Sequence, residues 1–575
     1  MRVVHRLDQI SERESFDAVV IGAGAAGMAA ALFTALAGRS VLLVESMAQV
    51  GGTSAWSAGS VWIPGTTEGF EANPDDSIDA ATLYLDAAVG AHAAAPLRQA
   101  FLAHGPQAVA ELNAHSDVRF RAYPRHPDYL ADLPGATLSG RALEPLPFDG
   151  RKLGKLLALI REPIPEFTVL GGMMVDRTDI QHLLALHRSW RSFCYSTRLL
   201  YRHFVDRTSH ARGTRLVMGN ALVGRLLLSL SKQARVTLVL QVGVQAMGVG
   251  RGSVDTVVLQ QANATRTVHA NGGVVLATGG FNRHPDRRAA LIGSANEDWC
   301  PGAPGHTGAL HGRVESLGGH YGQGGLSPAF WAPVSLRKRP DGSRAVFPHF
   351  VMDRGKPGMM VVNHAGRRFL NESEPYHLFG LSLLYANGRS PSIPAYLICD
   401  HEALRRYGLG MIRPGGRGLR SFLEDGYLTR ADSVEALAHA LGVNAENLRS
   451  SVERMNGFAA SGVDTDFGRG HNAYQRNIGD ASRSFRNPNL GPLATPPFYA
   501  IRIYPGDIGA ATGFATDTHG RVVEASGEPI AGLYAIGADM HSIMGGVYPG
   551  PGITLGPAIT FASLAAKDIA ARASR

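Results

Sequence analysis

Cysteine is scarce: Cys194, Cys300 and Cys399 are the only three in 575 residues. None forms a Cys-x-x-Cys pair, which argues against a zinc site or a disulfide framework and fits a reducing compartment. Charge is thin as well, at 18% of residues. An average soluble protein carries about 25%, so a disordered, self-repelling chain is excluded. No run of about 18 purely apolar residues occurs, and no transmembrane helix is expected. The stretch Met1 to Phe16 is charged and lacks the apolar centre of a secretory signal, so the expected location is the cytoplasm. The 22 histidines form no His-Glu-x-x-His and no tight ligand cluster, so no metal site is expected. No internal repeat or low-complexity linker is visible.

Glycine is abundant, with 69 residues. They follow no Gly-X-Y period, and they signal tight turns and close backbone approaches of the kind a large cofactor needs. Basic residues exceed acidic ones, 56 against 48, for a net charge of +8. Much of the excess lies between His187 and Arg215, with seven arginines and one acid, Asp206. That stretch reads either as a solvated helix face or as a patch for an anionic surface. Nucleic acid is not an expected partner; peripheral membrane contact stays open.

The first strong local signal is a complete βαβ unit. The apolar run Asp17-Ala-Val-Val-Ile21 reads as a buried strand, Met28 to Ala37 as an Ala-rich helix, and Ser40 to Val44 as a second strand ending at Glu45. Between strand and helix stands Gly22-Ala-Gly24-Ala25-Ala26-Gly27. In that setting the first glycine permits the turn, the second lets the backbone reach a pyrophosphate, and the third allows close helix–strand packing. The helix start at Gly24 to Gly27 offers free N–H groups to phosphate. Glu45 is placed to accept from ribose hydroxyls and to repel a 2′-phosphate. A glycine turn without a dinucleotide is the alternative, and the full βαβ context argues against it.

Further on, helices are predicted over 73–118 and 152–200, a long structured loop over 123–150, and a strand over 236–244. A short strand follows at 274–276, then strand- and turn-rich sequence over 328–368, and a helix over 430–460 capped by Asp432. The stretch 471–497 reads as irregular. Strands are predicted at 499–504, 521–523 and 533–536, and a last helix at 553–572.

Three later stations narrow the cofactor. Gly51-Gly52-Thr53-Ser54 with Ser57-Ala58-Gly59, then Ala277-Thr278-Gly279-Gly280-Phe281, and finally Gly532-Leu-Tyr-Ala-Ile-Gly537-Ala-Asp539 together resemble the FAD-binding flavoproteins of the succinate dehydrogenase/fumarate reductase superfamily. The resemblance covers nearly the whole chain. It implies FAD, with Asp539 on the ribityl chain or pyrophosphate. The last helix, entered through Gly550-Pro-Gly552-Ile553 and on to Leu555, is implied to point its N-terminus at the flavin N1 and O2 edge, where a helix dipole stabilises reduced flavin. No histidine occupies 51–59, where covalently flavinylated relatives carry one, so the FAD is expected to be non-covalent.

Tyr129 follows His126-Pro-Asp, Tyr376 closes Asn371-Glu-Ser-Glu-Pro-Tyr, and Tyr548 opens Tyr-Pro-Gly-Pro-Gly552. Together these contexts resemble the 3-ketosteroid Δ1-dehydrogenase family. By that resemblance Tyr548 O–H and the Gly552 N–H hold a ketone oxygen and stabilise enolate-like charge. Tyr376 takes the α-proton, helped by Tyr129. A phenol is a poor base at neutral pH unless its neighbours favour phenolate. Each tyrosine alone is more often a packed ring.

The chain departs from the family at Ala538-Asp-Met-His-Ser542, where many steroid dehydrogenases have Asn-x-Ser-Ala. His349, Arg354 and Lys356 are polar for a steroid site; they read as surface charges or as a clamp for the carboxylate of a smaller ring ketone such as 4-oxocyclohexanecarboxylate. The rival functions are a fumarate-reductase-like enzyme and a non-catalytic flavin carrier. No second dinucleotide fingerprint is seen, so a quinone or similar acceptor is expected. The expected fold is α/β: a Rossmann-like FAD domain over 14–328 and 489–575, with an inserted α+β substrate domain over 329–488 and the site in the cleft between them.

Overall fold

The computed structural model describes residues 1–250, 252–293, 296–339, 341–351 and 353–574. Two sheets organise them. The larger has nine strands, and its central strands are parallel: Arg2–Val4, Val236–Leu240, Val41–Glu45, Ser15–Ile21 and Ala264–Leu276 lie side by side. Pro529–Ala535 continues the parallel order against the end of Ala264–Leu276, as Leu276 faces Ala535. Apart from the polar first half of Ala264–Leu276, which pairs antiparallel with Ser253–Gln261, these strands are mostly apolar, as a parallel sheet buried on both faces needs no alternation. The helix Ala25–Leu36 buries ten of its twelve residues and packs beside Leu555–Arg572, whose small residues allow close approach.

Gln241 interrupts the predicted 236–244 strand at φ +57, dividing it into Val236–Leu240 and Gly243–Gly250. The 430–460 prediction divides too. Thr429–Ala431 is a strand, and the helices are Val434–Leu441 and Ala445–Ser461. Their caps are Ser433 and Asn444, each accepting a backbone N–H three residues on; Asp432 caps neither. A short helix, Ala473–Ile478, occupies part of the stretch expected to be irregular.

The second sheet has six antiparallel strands in the order Arg344–Pro348, Ala329–Lys338, Phe498–Ala510, Ala395–Cys399 and Met359–Val362, with Thr429–Ala431 also on Phe498–Ala510. Phe498–Ala510 was expected in the dinucleotide portion. Instead it is the spine of this sheet, because its thirteen residues are long enough to pair with three strands at once. Among the described residues no helix is long and apolar enough to cross a membrane.

Candidate active site

A cavity of about 650 Å³ takes wall residues from both sheets. Its first half is built at the carboxyl ends of the parallel strands. Gly22 has φ +104, and a Cβ there would meet the Ala277 carbonyl oxygen at 2.2 Å, so only glycine lets the two strand ends approach. A Cβ on Gly27 would stand 1.8 Å from the Gly22 oxygen, which holds the helix against the strand as the spacing predicted. Gly24 sits at the N-cap of Ala25–Leu36.

Most of the predicted cofactor residues line this half: Gly22, Gly24, Ala25, Ala26, Glu45, Gly52, Thr53, Ser54, Ala58, Gly59, Ala277, Thr278, Gly279, Gly537, Gly552, Ile553 and Leu555. Gly27 and Asp539 stand behind the wall. Asp539 is fully buried and faces inward. Its carboxylate accepts from the Thr278 backbone N–H and hydroxyl and from the Gly279 and Gly280 N–H groups, and contacts His311 Nε2 at 3.0 Å. Burial pushes this carboxyl up, but the His311 and Thr278 contacts outweigh it and hold it below its ordinary range. Asp539 therefore braces the 277–280 turn, with no oxygen left facing the cleft. The Thr53 hydroxyl is also committed, lying 3.1 Å from His306 Nε2 and accepting from Ala303 N–H at 2.8 Å. Glu45 accepts from the Ala23 and Met47 N–H groups while lining the cavity, and burial raises its carboxyl.

Arg161 was missed. It is 8% exposed, lines the cavity, lies 5.3 Å over Trp56 and is electrostatically coupled to Glu45. Its buried Nε has no hydrogen-bond partner. A buried cation without a partner is costly, so this site is built for an anion. A glycine-walled cleft, free amides at a helix start and an orphaned guanidinium fit a dinucleotide diphosphate. Arg161 lies far from the glycine motif in sequence, and no local pattern marks it.

The second half is phenolic. Tyr376 begins the helix Tyr376–Asn387, and its ring centroid lies 5.4 Å from Tyr129 and 5.1 Å from Tyr548, with Tyr129 and Tyr548 stacked at 5.9 Å. Tyr474, also missed, lies 4.8 Å from Tyr129. Tyr129 is positioned by its loop. Its N–H donates to the Pro549 carbonyl at 2.8 Å, and neighbouring Asp128 accepts from Trp62 Nε1 and ion-pairs with buried Arg141. Tyr376 is positioned by the turn before it, where buried Glu372 is clamped by Arg368 and Arg469. Gly552, at φ +97, packs against the Ser60 backbone. Among the described residues its buried N–H makes no hydrogen bond, which leaves a donor beside Tyr548 on the same wall.

Burial, followed by the neighbouring phenols, pushes Tyr376 well above the usual phenol range. Tyr129 is raised by burial and by Tyr474, and Tyr548 by burial. At Tyr376 the neighbouring phenols thus add to burial instead of favouring the phenolate, whereas at Tyr548 hydrogen bonding with Tyr376 and Thr554 opposes burial. The reason is electrostatic: a negative charge on Tyr376 is disfavoured by burial and by negative charge on Tyr129 or Tyr548.

The supposed clamp residues turn inward. Arg354 is fully buried and donates to the His349, Phe350, Glu372 and Glu374 carbonyls. His349 bridges Asp353 and Ser335, and Lys356 donates to the Gly479 carbonyl, with burial lowering its ammonium to about 8. They are not surface charges: Arg354 and Lys356 are committed to backbone carbonyls, and His349, which lines the cavity, is held by Asp353 and Ser335. Among the described residues no three His, Cys, Asp or Glu side chains group as metal ligands.

A dinucleotide cleft at the carboxyl end of a parallel sheet, opening into a phenol-lined chamber, defines a flavoprotein of the oxidoreductase type. The FAD binding domain family matches residues 17–555. The chain belongs to the FAD-dependent 3-ketosteroid Δ1-dehydrogenase family, and it binds FAD. It is 36% identical to a 3-oxosteroid 1-dehydrogenase of Mycolicibacterium smegmatis over 98% of both chains. It is 35% identical to a 4-oxocyclohex-2-ene-1-carboxylate 5-dehydrogenase of Sinomonas cyclohexanicum, over 97% of this chain and 94% of the relative. The crystal structure of the 3-ketosteroid Δ1-dehydrogenase of Sterolibacterium denitrificans in complex with 1,4-androstadiene-3,17-dione superposes with a TM-score of 0.90 at 34% identity, covering 97% of this chain and all of that one.

Proposed function

We propose that the protein is an FAD-dependent dehydrogenase acting on CH–CH groups, which introduces the C1–C2 double bond of a 3-ketosteroid. The observation that carries this reading is the convergence of Tyr129, Tyr376 and Tyr548, with the unpaired Gly552 N–H, on the wall of the cofactor cavity. Tyr548 O–H and Gly552 N–H hold the ketone oxygen and stabilise the charge that develops as the α C–H ionises. Tyr376 takes the α-proton at its phenolic oxygen, and Tyr129 steadies that oxygen. Non-covalently bound FAD supplies the acceptor for the β-hydrogen, which leaves as hydride. Quinone is the proposed electron acceptor. Three unpaired cysteines support a cytoplasmic setting. In this reading the substrate portion returns to the dinucleotide portion after Ala510, since the strand ending there pairs in the second sheet.

The test is the visible spectrum of the purified holoprotein under anaerobic conditions, before and after a 3-keto-4-ene steroid is added. Bleaching of the oxidised-flavin band is expected; an unchanged band overturns the steroid assignment. Because Tyr376 is raised, its phenolate fraction falls as pH falls. The value of kcat/KM is therefore expected to climb about tenfold per pH unit from neutral into alkaline solution. A flat profile removes Tyr376 as the base.

Arg161 is proposed to neutralise the FAD diphosphate. Titration of Arg161→Met apoprotein with FAD, followed by flavin fluorescence, is expected to show affinity about 10- to 100-fold weaker, the worth of a charged hydrogen bond.

A smaller, acid-bearing ring ketone is a second reading, favoured by Arg177. This exposed residue lines the cavity 5.6 Å over Tyr123, and among the described residues it has no ion-pair partner. In that case Arg177→Gln is expected to lower kcat/KM for a carboxylated cyclohexanone about tenfold or more and to leave a neutral steroid unaffected.

A further inference from the structure

We propose that His126 is a specificity-determining residue that binds a hydroxyl carried on the substrate's rings beyond the reacting ketone. The inference deepens the function proposed above and rests on it for the identity of that ketone.

His126 belongs to the loop that presents Tyr129. Its backbone N–H donates to the Leu138 carbonyl at 3.0 Å, and the Asp128 N–H donates to the Thr137 carbonyl at 2.9 Å. The side chain lines the cavity and is only 9% exposed. Nδ1 is buried without a hydrogen-bond partner, and among the described residues Nε2 makes no hydrogen bond either. A neutral imidazole carries one donor and one acceptor nitrogen, and leaving both unmet in a buried wall is costly unless a partner enters the cavity. Two other cavity imidazoles are already engaged. His349 bridges Asp353 and Ser335, and His306 contacts the Thr53 hydroxyl. His541 also has an unpaired Nδ1, but it follows Asp539 in the turn of the cofactor half.

Position sets what His126 can reach. Its ring centroid is 6.1 Å from that of Tyr129, which stacks on the ketone-holding Tyr548. Tyr123 stands edge-on to His126 at 5.0 Å, and exposed Arg177 lies 5.6 Å over Tyr123. Successive neighbours thus lead from the buried phenols outward, and His126 is the first of them that the proton chemistry leaves unused. A ketone held at Tyr548 whose fused rings extend along this wall passes His126.

The chemistry selects a hydroxyl. Burial, with the Arg177 charge adding to it, pulls His126 down to about 3, so it is uncharged at neutral pH. The Glu144 carboxylate lines the same cavity and acts on neighbouring Tyr123. An acidic substituent at this point therefore finds no imidazolium and faces a carboxylate. A ketone suits only the donor nitrogen, whereas a hydroxyl donates or accepts and so meets His126 in either tautomer. The Tyr123 hydroxyl is close by but already engaged, 3.0 Å from the Ser60 hydroxyl.

The experiment uses the FAD-loaded protein and 4-androsten-3-one, with its derivatives bearing one hydroxyl on ring B, C or D. Binding is measured by calorimetry on anaerobically reduced protein, which accepts no hydride. At least one derivative is expected to bind about tenfold tighter than the parent, the worth of a hydrogen bond. In His126→Phe, which keeps a ring and loses both nitrogens, that preference should disappear while the parent binds as it does to the wild type. His126→Gln, with a donor and an acceptor, should restore part of it. The proposal falls if no hydroxylated derivative outbinds the parent in the wild type, a result that needs no variant to fold. It falls also if the preference survives in His126→Phe. A hydroxyl preference in the reduced protein, with no bleaching of the oxidised flavin by any of these steroids, removes the proposed dehydrogenation and leaves the subsite. Bleaching by all of them without a preference removes the subsite and leaves the dehydrogenation.

Discussion

Tyr376→Phe is expected to lower turnover of a 3-keto-4-ene steroid by about 100- to 10,000-fold, the range lost when a positioned acid–base group is removed. The substitution deletes one oxygen and keeps the ring. The ring contacts with Tyr129, Tyr548 and Phe350 therefore survive, and so does the helix that Tyr376 begins. Flavin content and thermal midpoint should match the wild type, which separates loss of the base from loss of the fold. Turnover within tenfold of wild type would remove Tyr376 from the proton path. Tyr548→Phe should also lose turnover, but through the ketone-holding step. One oxyanion donor is worth about 100- to 1,000-fold, and the Gly552 N–H remains.

The second large effect is expected at Asp539. Asp539→Ala leaves the Thr278, Gly279 and Gly280 N–H groups without their acceptor in a dry interior. Breaking a buried charged network in this way costs about 3–5 kcal/mol. Because the 277–280 turn also forms part of the cofactor wall, the variant should purify with little FAD and unfold at lower denaturant. Asp539→Asn keeps the shape and half the acceptors, and it should recover part of both. An Asp539→Ala protein with wild-type stability and full flavin would show that the brace is dispensable. The carboxyl is held below its ordinary range in the folded protein, so its contribution to stability is present at neutral pH and lost as pH falls through the folded value. Acid should therefore release FAD from the wild type along with this brace.

Both effects trace to positions visible in the sequence, but their roles were not equally legible. The glycine turn at Gly22 to Gly27 and the acid at Glu45 follow from local rules, since a strand, a turn and a helix within thirty residues constrain one another through backbone geometry. Asp539 was recognised as part of a cofactor station. Its direction was not legible, because which way a carboxylate turns depends on amides that lie some 260 residues away in the chain. Arg161 had no local signal at all. His349, Arg354 and Lys356 looked like a charged surface because composition does not reveal their remote partners, backbone carbonyls for Arg354 and Lys356 and the side chains of Asp353 and Ser335 for His349.

The helix Trp190–Arg207 shows the same division. Its arginines stood out in the sequence. Only the packing against Arg177–Leu184 decided that the serines, His203 and Asp206 lie inside and the aromatics outside. The strand Phe498–Ala510 was likewise recognisable as a strand, but which sheet it joined depended on pairing partners more than a hundred residues distant.

By itself the sequence determined the βαβ nucleus, the dinucleotide class and, through resemblance, the three tyrosine contexts. All of these rest on short-range spacing and on residue types whose backbone or chemical limits are severe. The tertiary structure alone decided that those tyrosines meet, that their shared burial raises them, and that a brace stands behind the cofactor wall. It also left an orphaned arginine in that wall. Such outcomes come from desolvation and from hydrogen-bond partners supplied by remote strands and loops, and no window along the chain contains both members of the pair.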